Sequence, residues 1–238
     1  AEEAVYEEKK MEEMEVCFLM DRFGYMKLID KNAYERNKEA VHNENKYVFN
    51  CMNTDKICIF TDTGKMHTIK AVDIPLGRFR DKGTPVDNLS NYDSSQERML
   101  YVAPVGQLRS DRLLFVTKTS MCKLVEGAEF DVAKRTIAST KLADGDELIF
   151  IGSASEMEQI VLQSHGGCFL RFLTQEVSTM KKTALGVRGM KLADDDYLEH
   201  AYLLAGHQEY TISYHDKEYA LNKVRLAKRD TKGIKPRI

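Results

Sequence analysis

One unit recurs along this chain and limits its fold more than any other feature. It is a short apolar run, a tight turn, a returning apolar run and then a polar, basic segment. The fullest copy is IVLQSHGGCFLRFLTQEVSTMKKTALGVRGMKLADDDYL, Ile160 to Leu198. Short β-rich runs broken by Gly and Asp clusters read as strands joined by turns. Glycine reaches the positive φ that a tight hairpin needs. Five turns align. Asp21-Arg22-Phe23-Gly24 lies between VCFLM and YMKLI, and Thr61-Asp62-Thr63-Gly64 between ICIF and KMHTIK. Thr117-Lys118-Thr119-Ser120 joins LLFV to MCKLV, Gly166-Gly167 turns the fullest copy, and His215-Asp216-Lys217 joins TISY to EYALNKV. Their spacing, about 40 to 56 residues, is that of a propeller-type array.

Later parts of the unit recur as well. A third strand candidate appears as GTPVDNL, IASTKL, GVRGMKL and GIKPRI, and a fourth as YVFNCM, MLYVA, ELIFI and YLEHAYLL. Four strands in each of about five units predict an all-β array of blades, with units near 16–52, 57–103, 113–151, 160–204 and 210–238. Stacked blades bury both faces of each sheet, so strands read as apolar runs rather than alternations. A β-sandwich or two small barrels are the competing architectures. The fifth unit stops at its third strand, and the N-terminal segment is a candidate for the missing one. Residues 1–15 read as an acidic lead-in or linker, with a short helix or an edge strand from Val5 to Lys9. The turn-rich stretches Asn88–Glu97 and Gly152–Glu156 read as loops.

Composition excludes several classes. No apolar run approaches the roughly 20 residues of a membrane helix, and the acidic first ten residues are unlike a signal peptide. The five cysteines, Cys17, Cys51, Cys58, Cys122 and Cys168, form no C-x-x-C pair. The expectation is reduced thiols in a cytosolic protein. There is no G-x-x-x-x-G-K-[ST], no H-E-x-x-H and no G-x-S-x-G. The six histidines are scattered, which argues against a metal centre. Asp194-Asp195-Asp196 sits where Asp144-Gly145-Asp146 sits one unit earlier, so it reads as a solvated turn.

The net charge of −2 hides an uneven distribution. Residues 1–15 hold seven acids and two lysines, which leaves 33 basic against 30 acidic residues elsewhere. The basic residues after each hairpin share one position in the unit, so in an array of blades they fall along one border. Such an arc can follow and bend a phosphate backbone, with affinity from counterion release rather than base reading. It can equally be a solvated rim, and charge alone does not separate the two.

Three longer stretches carry a resemblance. KTALGVRGMKLADDDYL at Lys182–Leu198 resembles the GVRGI-K/R-L-x-x-x-D segment in the C-terminal domain of DNA gyrase A subunits and of the related topoisomerase IV A subunit. FVTKTSMCKLVEGAEF at Phe115–Phe130, continued by STKLADGDELI, resembles that family's ATKNGxVKKTxLxEF and IKLxDGDELI. IFTDTGKMHTIKAVDIPLGRFRDKGTPVDNL at Ile59–Leu89 is similar to FTNRGRVYxLKxYEIPEASRxxKGxPIVNLL. The likeness runs from Val16 through nearly the whole chain.

The resemblance implies a β-pinwheel over 16–238: propeller-like, four-stranded blades that exchange strands, with double-stranded DNA around a basic edge. It implies a non-catalytic, cytoplasmic, nucleoid-associated domain without a cofactor of its own. ATP and magnesium would be used elsewhere in the enzyme. Its other parts, the ATPase B subunit with the rest of the A subunit, are the expected protein partners. By position, Arg78, Arg80, Lys82, Lys134, Arg135, Lys181, Lys182 and Arg188 are the expected phosphate contacts, with Lys123, Arg171, Lys228 and Arg229 second. One departure matters. Where gyrases carry a Q-R-R-G-G-K-G-like box, Tyr34–His42 reads YERNKEAVH. This favours a topoisomerase IV-type role in decatenation and relaxation over negative supercoiling by a degenerate gyrase domain. A protein-interaction propeller that binds no DNA is the rival from another class.

Overall fold

The computed structural model describes residues 12–238. They form an all-β chain of hairpins. The strands are β1 Glu15–Met20, β2 Tyr25–Ile29, β3 Tyr47–Met52, β4 Lys56–Thr61, β5 Lys65–Lys70, β6 Thr84–Pro85, β7 Met99–Pro104, β8 Arg112–Thr117 and β9 Met121–Glu126. They continue as β10 Thr136–Ala138, β11 Leu148–Ser153, β12 Gln159–Ser164, β13 Phe169–Leu173, β14 Val187–Arg188, β15 Leu198–Leu204, β16 Thr211–Tyr214 and β17 Lys217–Ala220. Two compact bodies result. Among the described residues, one is 12–56 with Lys70–Leu89, and the other is Ile57–Ile69 with Ser90–Ile238.

Strand order follows one rule. The sheets read β3-β1-β2-β6, β7-β4-β5-β10 and β11-β8-β9-β14. In each, a hairpin is flanked by its own unit's last strand on one side. On the other side lies the third strand of the following unit. The fourth sheet, β15-β12-β13, takes the same addition as a bridge between Phe169 and Ile234. The recurring third strand therefore leaves its own hairpin and completes the preceding sheet. The fifth hairpin, β16-β17, is two-stranded among the described residues, not four-stranded. Glu12 to Met14 are tied to Asn53 in the first body, through Met14 N–H to Asn53 Oδ1 and Asn53 Nδ2 to the Glu12 carbonyl. The possible strand from Val5 to Lys9 lies outside the described residues.

Each of the last four hairpins ends in a single 3-10 turn, at Ala71–Asp73, Gly127–Phe130, Thr174–Glu176 and Leu221–Lys223. These turns aim the chain at the preceding sheet. Phe130 shows how the aim is fixed. It is fully buried, with its ring 5.0 Å from that of Phe60 and 5.9 Å from that of Phe115. Burying such a side chain contributes about 1.5–3 kcal/mol.

The first unit departs from the pattern. After β2 its chain forms helices α1 Lys31–Arg36 and α2 Lys38–Glu44. The Asp30 carboxylate caps α1 by accepting from the Ala33 N–H at 2.7 Å. Ala33 and Val41 drop into the core with Cys17, Leu19, Ile29 and Phe79. Arg36 and Lys38, the basic residues that follow the first hairpin, are thus in helical turns.

The acidic turns are fasteners rather than merely solvated. Asp146 accepts from the Thr119 N–H at 3.1 Å and its hydroxyl at 2.6 Å. Asp196 accepts from Gly166 N–H at 2.8 Å. Each carboxylate thereby closes the hairpin turn of its own unit. Among the described residues no group of acids, histidines and cysteines could hold a metal ion.

Candidate nucleic-acid interface

The basic segments lie between two points where the chain is pinned to the preceding hairpin. In the first body, Leu28 N–H donates to the Pro75 carbonyl at 3.1 Å and Gly77 N–H to the Leu28 carbonyl at 2.9 Å. The chain re-pairs at Thr84 with Met26. Arg78, Arg80 and Lys82 ride the bulge in between. Phe79 anchors that bulge in the core, and the arginines on either side face solvent, Arg78 with its side chain 90% exposed. In the second body the pins are Met180 N–H to the Leu124 carbonyl, at 2.7 Å, and Val187 opposite Cys122. Lys181 and Lys182 lie between them. A third bulge, with Lys228 and Arg229, runs from Ala227, bonded to the Arg171 carbonyl at 2.8 Å, to Ile234 opposite Phe169.

Within the second body these bulges are stitched together. Lys141 N–H donates to the Lys182 carbonyl at 3.1 Å, and Lys191 N–H to the Thr231 carbonyl at 2.8 Å. Lys134, Lys141 and Lys182 thus rim one groove of about 700 Å³ with Ile137 and Ala138 on its wall. Arg225, Lys228 and Lys232 rim another of about 550 Å³, over Leu226 and Ile234. Arg135 is exposed just before β10, and its carbonyl accepts from Thr68 N–H at 2.8 Å.

Carboxylates temper this charge. Arg188 Nε meets Asp230 at 2.5 Å, Arg78 meets Asp81 at 3.3 Å, and Arg80 meets Glu44 at 3.6 Å. The hydrogen bond from Arg188 holds the Asp230 carboxyl below its ordinary range. These pairs are exposed, where such contacts are worth about 0–1 kcal/mol, so a phosphate can compete for the cation. Lys134 and Lys181 are exposed and make no ion pair among the described residues.

Three expected contacts fall elsewhere. Lys123 is 2% exposed, and its ammonium donates to the carbonyls of Lys182 at 2.9 Å and Ala184 at 2.6 Å. It cannot reach a phosphate, because a buried strand position directs it inward. Arg171 is half-buried and donates to Gln159 and to the Val224 carbonyl, both at 2.7 Å. Arg229 spends its guanidinium on the carbonyls of Glu176, at 2.9 Å, and Arg188, at 2.8 Å. Sequence reasoning passed over Lys141, Lys191 and Arg225. The first two stand before Leu in TKLADGDEL and MKLADDDYL, so aligning the repeats residue by residue finds them.

The sequence profile of the DNA gyrase C-terminal domain, beta-propeller, matches residues 55–94, 111–155 and 158–205. The DNA gyrase A subunit of Ureaplasma parvum is 25% identical over 236 residues, which are 92% of this chain and 28% of that protein. The corresponding Salmonella typhimurium protein is 32% identical over 144 residues, 60% of this chain and 16% of its own length. The chain thus spans under a third of these relatives. Among solved structures, a C-terminal domain of DNA topoisomerase IV superposes with a TM-score of 0.82 at 22% identity, covering 94% of this chain and 73% of that one. The E. coli ParC C-terminal domain gives 0.72 at 13% identity, covering 94% of each chain. A DNA gyrase A C-terminal domain gives 0.61 at 18%, covering 93% of this chain and 76% of its own. The exchanged strands and these likenesses make the fold a β-pinwheel. With more than half of its residues under the profile, the chain belongs to the DNA gyrase C-terminal domain, beta-propeller family.

Proposed function

We propose that this chain binds double-stranded DNA along its pinned cationic bulges and bends it, as a non-catalytic part of the A subunit of a type IIA topoisomerase. The groove rimmed by Lys134, Lys141 and Lys182 is the observation that carries this reading. Its ammonium groups come from two consecutive units, so they follow a line across blades as a duplex backbone would. Bending a 20–30 bp site by 40–90° costs about 1–6 kcal/mol, which several phosphate contacts offset through counterion release. The protein partners in this reading are the ATPase B subunit, with the rest of the A subunit. ATP and magnesium act there, and the site is cytoplasmic, on the nucleoid.

Of the two enzyme types, topoisomerase IV fits better. Helices α1 and α2 occupy the place where the resemblance puts the gyrase Gln/Arg/Gly box, with Ala33 and Val41 committed to the core. The residues at that place are held in helical turns rather than in a basic loop.

The test is the affinity for a duplex of about 40 bp against salt. A log–log slope of about −0.9 per phosphate contacted is expected. A flat slope, or capture of a protein partner with no duplex binding at low salt, sinks the reading. Supercoiling and decatenation by the full enzyme, with and without this domain, separate the two enzyme types. Loss of decatenation is the expected outcome.

A further inference from the structure

The interior cation Lys123 has no solvent to serve, yet it sits under the loop that carries Lys181 and Lys182. Its Nζ lies 2.9 Å from the Lys182 carbonyl, 2.6 Å from that of Ala184 and 3.5 Å from that of Lys181. The centre of the Phe115 ring lies 5.6 Å from the same nitrogen. A buried ammonium with three donors is satisfied only if three acceptors converge on it. The loop supplies them by turning its carbonyls inward, and this turns its side chains out.

The arrangement recurs on the same strand of other hairpins. Lys27 stands one residue after Met26, as Lys123 stands one after Cys122, and both Met26 and Cys122 pair with an exchanged strand. Lys27 donates to the carbonyls of Phe79 and, at 3.0 Å, Asp81, under the bulge of Arg78, Arg80 and Lys82. His67, one residue after Met66, bonds the Thr136 hydroxyl at 2.9 Å, next to Arg135. Arg171 reaches the Val224 carbonyl at 2.7 Å, where the segment with Lys228 begins. Packing alone would not place a polar group on one inward strand position four times.

We propose that Lys123 is a positioning residue for DNA binding. Its buried ammonium fixes the backbone path of Lys181 to Ala184, so that the exposed Lys181 and the half-buried Lys182, whose ammonium donates to the Glu129 carbonyl at 3.3 Å, are held in one geometry before a duplex arrives. Lys27, His67 and Arg171 do this for the neighbouring segments. The proposal rests on the DNA-binding reading above. Its energetic content is preorganisation, because a loop already ordered loses less side-chain and backbone freedom on binding.

The full chain with Lys123→Met and Lys123→Arg tests it. In Lys123→Met, exchange of the Ala184 amide, now bonded to the Lys181 carbonyl at 3.0 Å, speeds up by about tenfold. The Met180 amide, bonded to Leu124, stays as it was. Duplex affinity falls about five- to tenfold, as expected for two side chains that must now be ordered on binding. The salt slope is unchanged, because no phosphate contact is lost. Lys123→Arg restores most of the affinity, as Arg171 fills this role one blade on. A slope reduced by about one shows that Lys123 itself meets a phosphate, and overturns the proposal. So does unchanged exchange at Ala184. If Lys123→Met does not fold, Lys27→Met carries the same test, with the Asp81 amide as probe and Gly77 as reference. A wild-type chain that binds no duplex at low salt overturns the DNA half together with the function beneath it. Exchange at Ala184 then still decides whether the tether exists.

Discussion

Gly186 passes so close over Cys122 that a Cβ on the glycine would stand 2.6 Å from the cysteine's carbonyl oxygen. Its φ of +107° is also one that side chains with a Cβ rarely adopt. Gly233 stands in the same relation to Phe169, again at 2.6 Å. The glycine that opens the exchanged strand is therefore required by close approach and by backbone conformation together. Gly186→Ala is expected to cost about 1–3 kcal/mol from the conformation alone, with the backbone clash in addition. Urea denaturation measures it, and a midpoint within error of wild type contradicts this account.

Glu97 reaches inward from the loop before β7. Its carboxylate accepts from the Asp93 N–H at 3.1 Å and the Thr63 hydroxyl at 3.3 Å, and meets His67 Nε2 at 2.9 Å. Burial raises its pKa, but the hydrogen bonds and the His67 contact outweigh burial and hold it below the ordinary value. The sign follows. This group stabilises the fold fully above its unfolded pKa of about 4.3, and that contribution is lost as pH falls through the lower folded value. Glu97→Ala leaves buried donors unmatched and is expected to cost about 1–3 kcal/mol at neutral pH. The mutant's acid-unfolding curve should also lack the wild type's extra loss of stability below pH 4.3.

Lys123 gives the opposite pH sign. Burial pushes its pKa down to about 8, with the Glu129 carboxylate pulling the other way. The unfolded chain then holds this proton up to the ordinary lysine value of about 10.4. Lys123 therefore costs stability below about pH 8, and the cost is relieved as pH rises from there toward 10.4. Lys123→Met should flatten this part of the curve, and it should lower neutral stability because the carbonyls of Lys182 and Ala184 lose their donor. Chemical denaturation across pH 7 to 10 measures both.

Charge on the border is unevenly available. Lys134→Gln and Lys181→Gln should each lower the salt slope of duplex binding by about one. Asp230→Asn frees Arg188 from a pair worth about 0–1 kcal/mol, so low-salt affinity should rise by up to about fivefold. Affinity that falls in Asp230→Asn would show that the pair holds the bulge in shape instead.

Much of this was legible in the sequence because each hairpin carries its own punctuation. Gly24, Gly64 and Gly167 sit in the turns at positive φ, and Asp146 and Asp196 follow at fixed offsets. The exchange of strands was not legible from the residues, since GVRG reads alike whichever hairpin it joins; only the family likeness suggested it. The fate of Lys123 was hidden for a related reason. A lysine two or three residues beyond a turn looks like rim charge, and only the carbonyls of residues 58 to 61 positions later make it interior. The helices after β2 were not legible because Tyr34–His42 follows its hairpin at the place where every later unit carries a polar, basic segment.

The exchanged strands also govern how such a chain can be cut or lengthened. Since β10 closes the sheet of β4 and β5, and β14 that of β8 and β9, removing one repeat injures two sheets. It deletes one and strips the border from its predecessor. Modular loss or gain at unit boundaries, easy for a stack of self-contained hairpins, is thereby penalised. A viable breakpoint must fall so that a hairpin travels with the closing strand of the neighbour downstream.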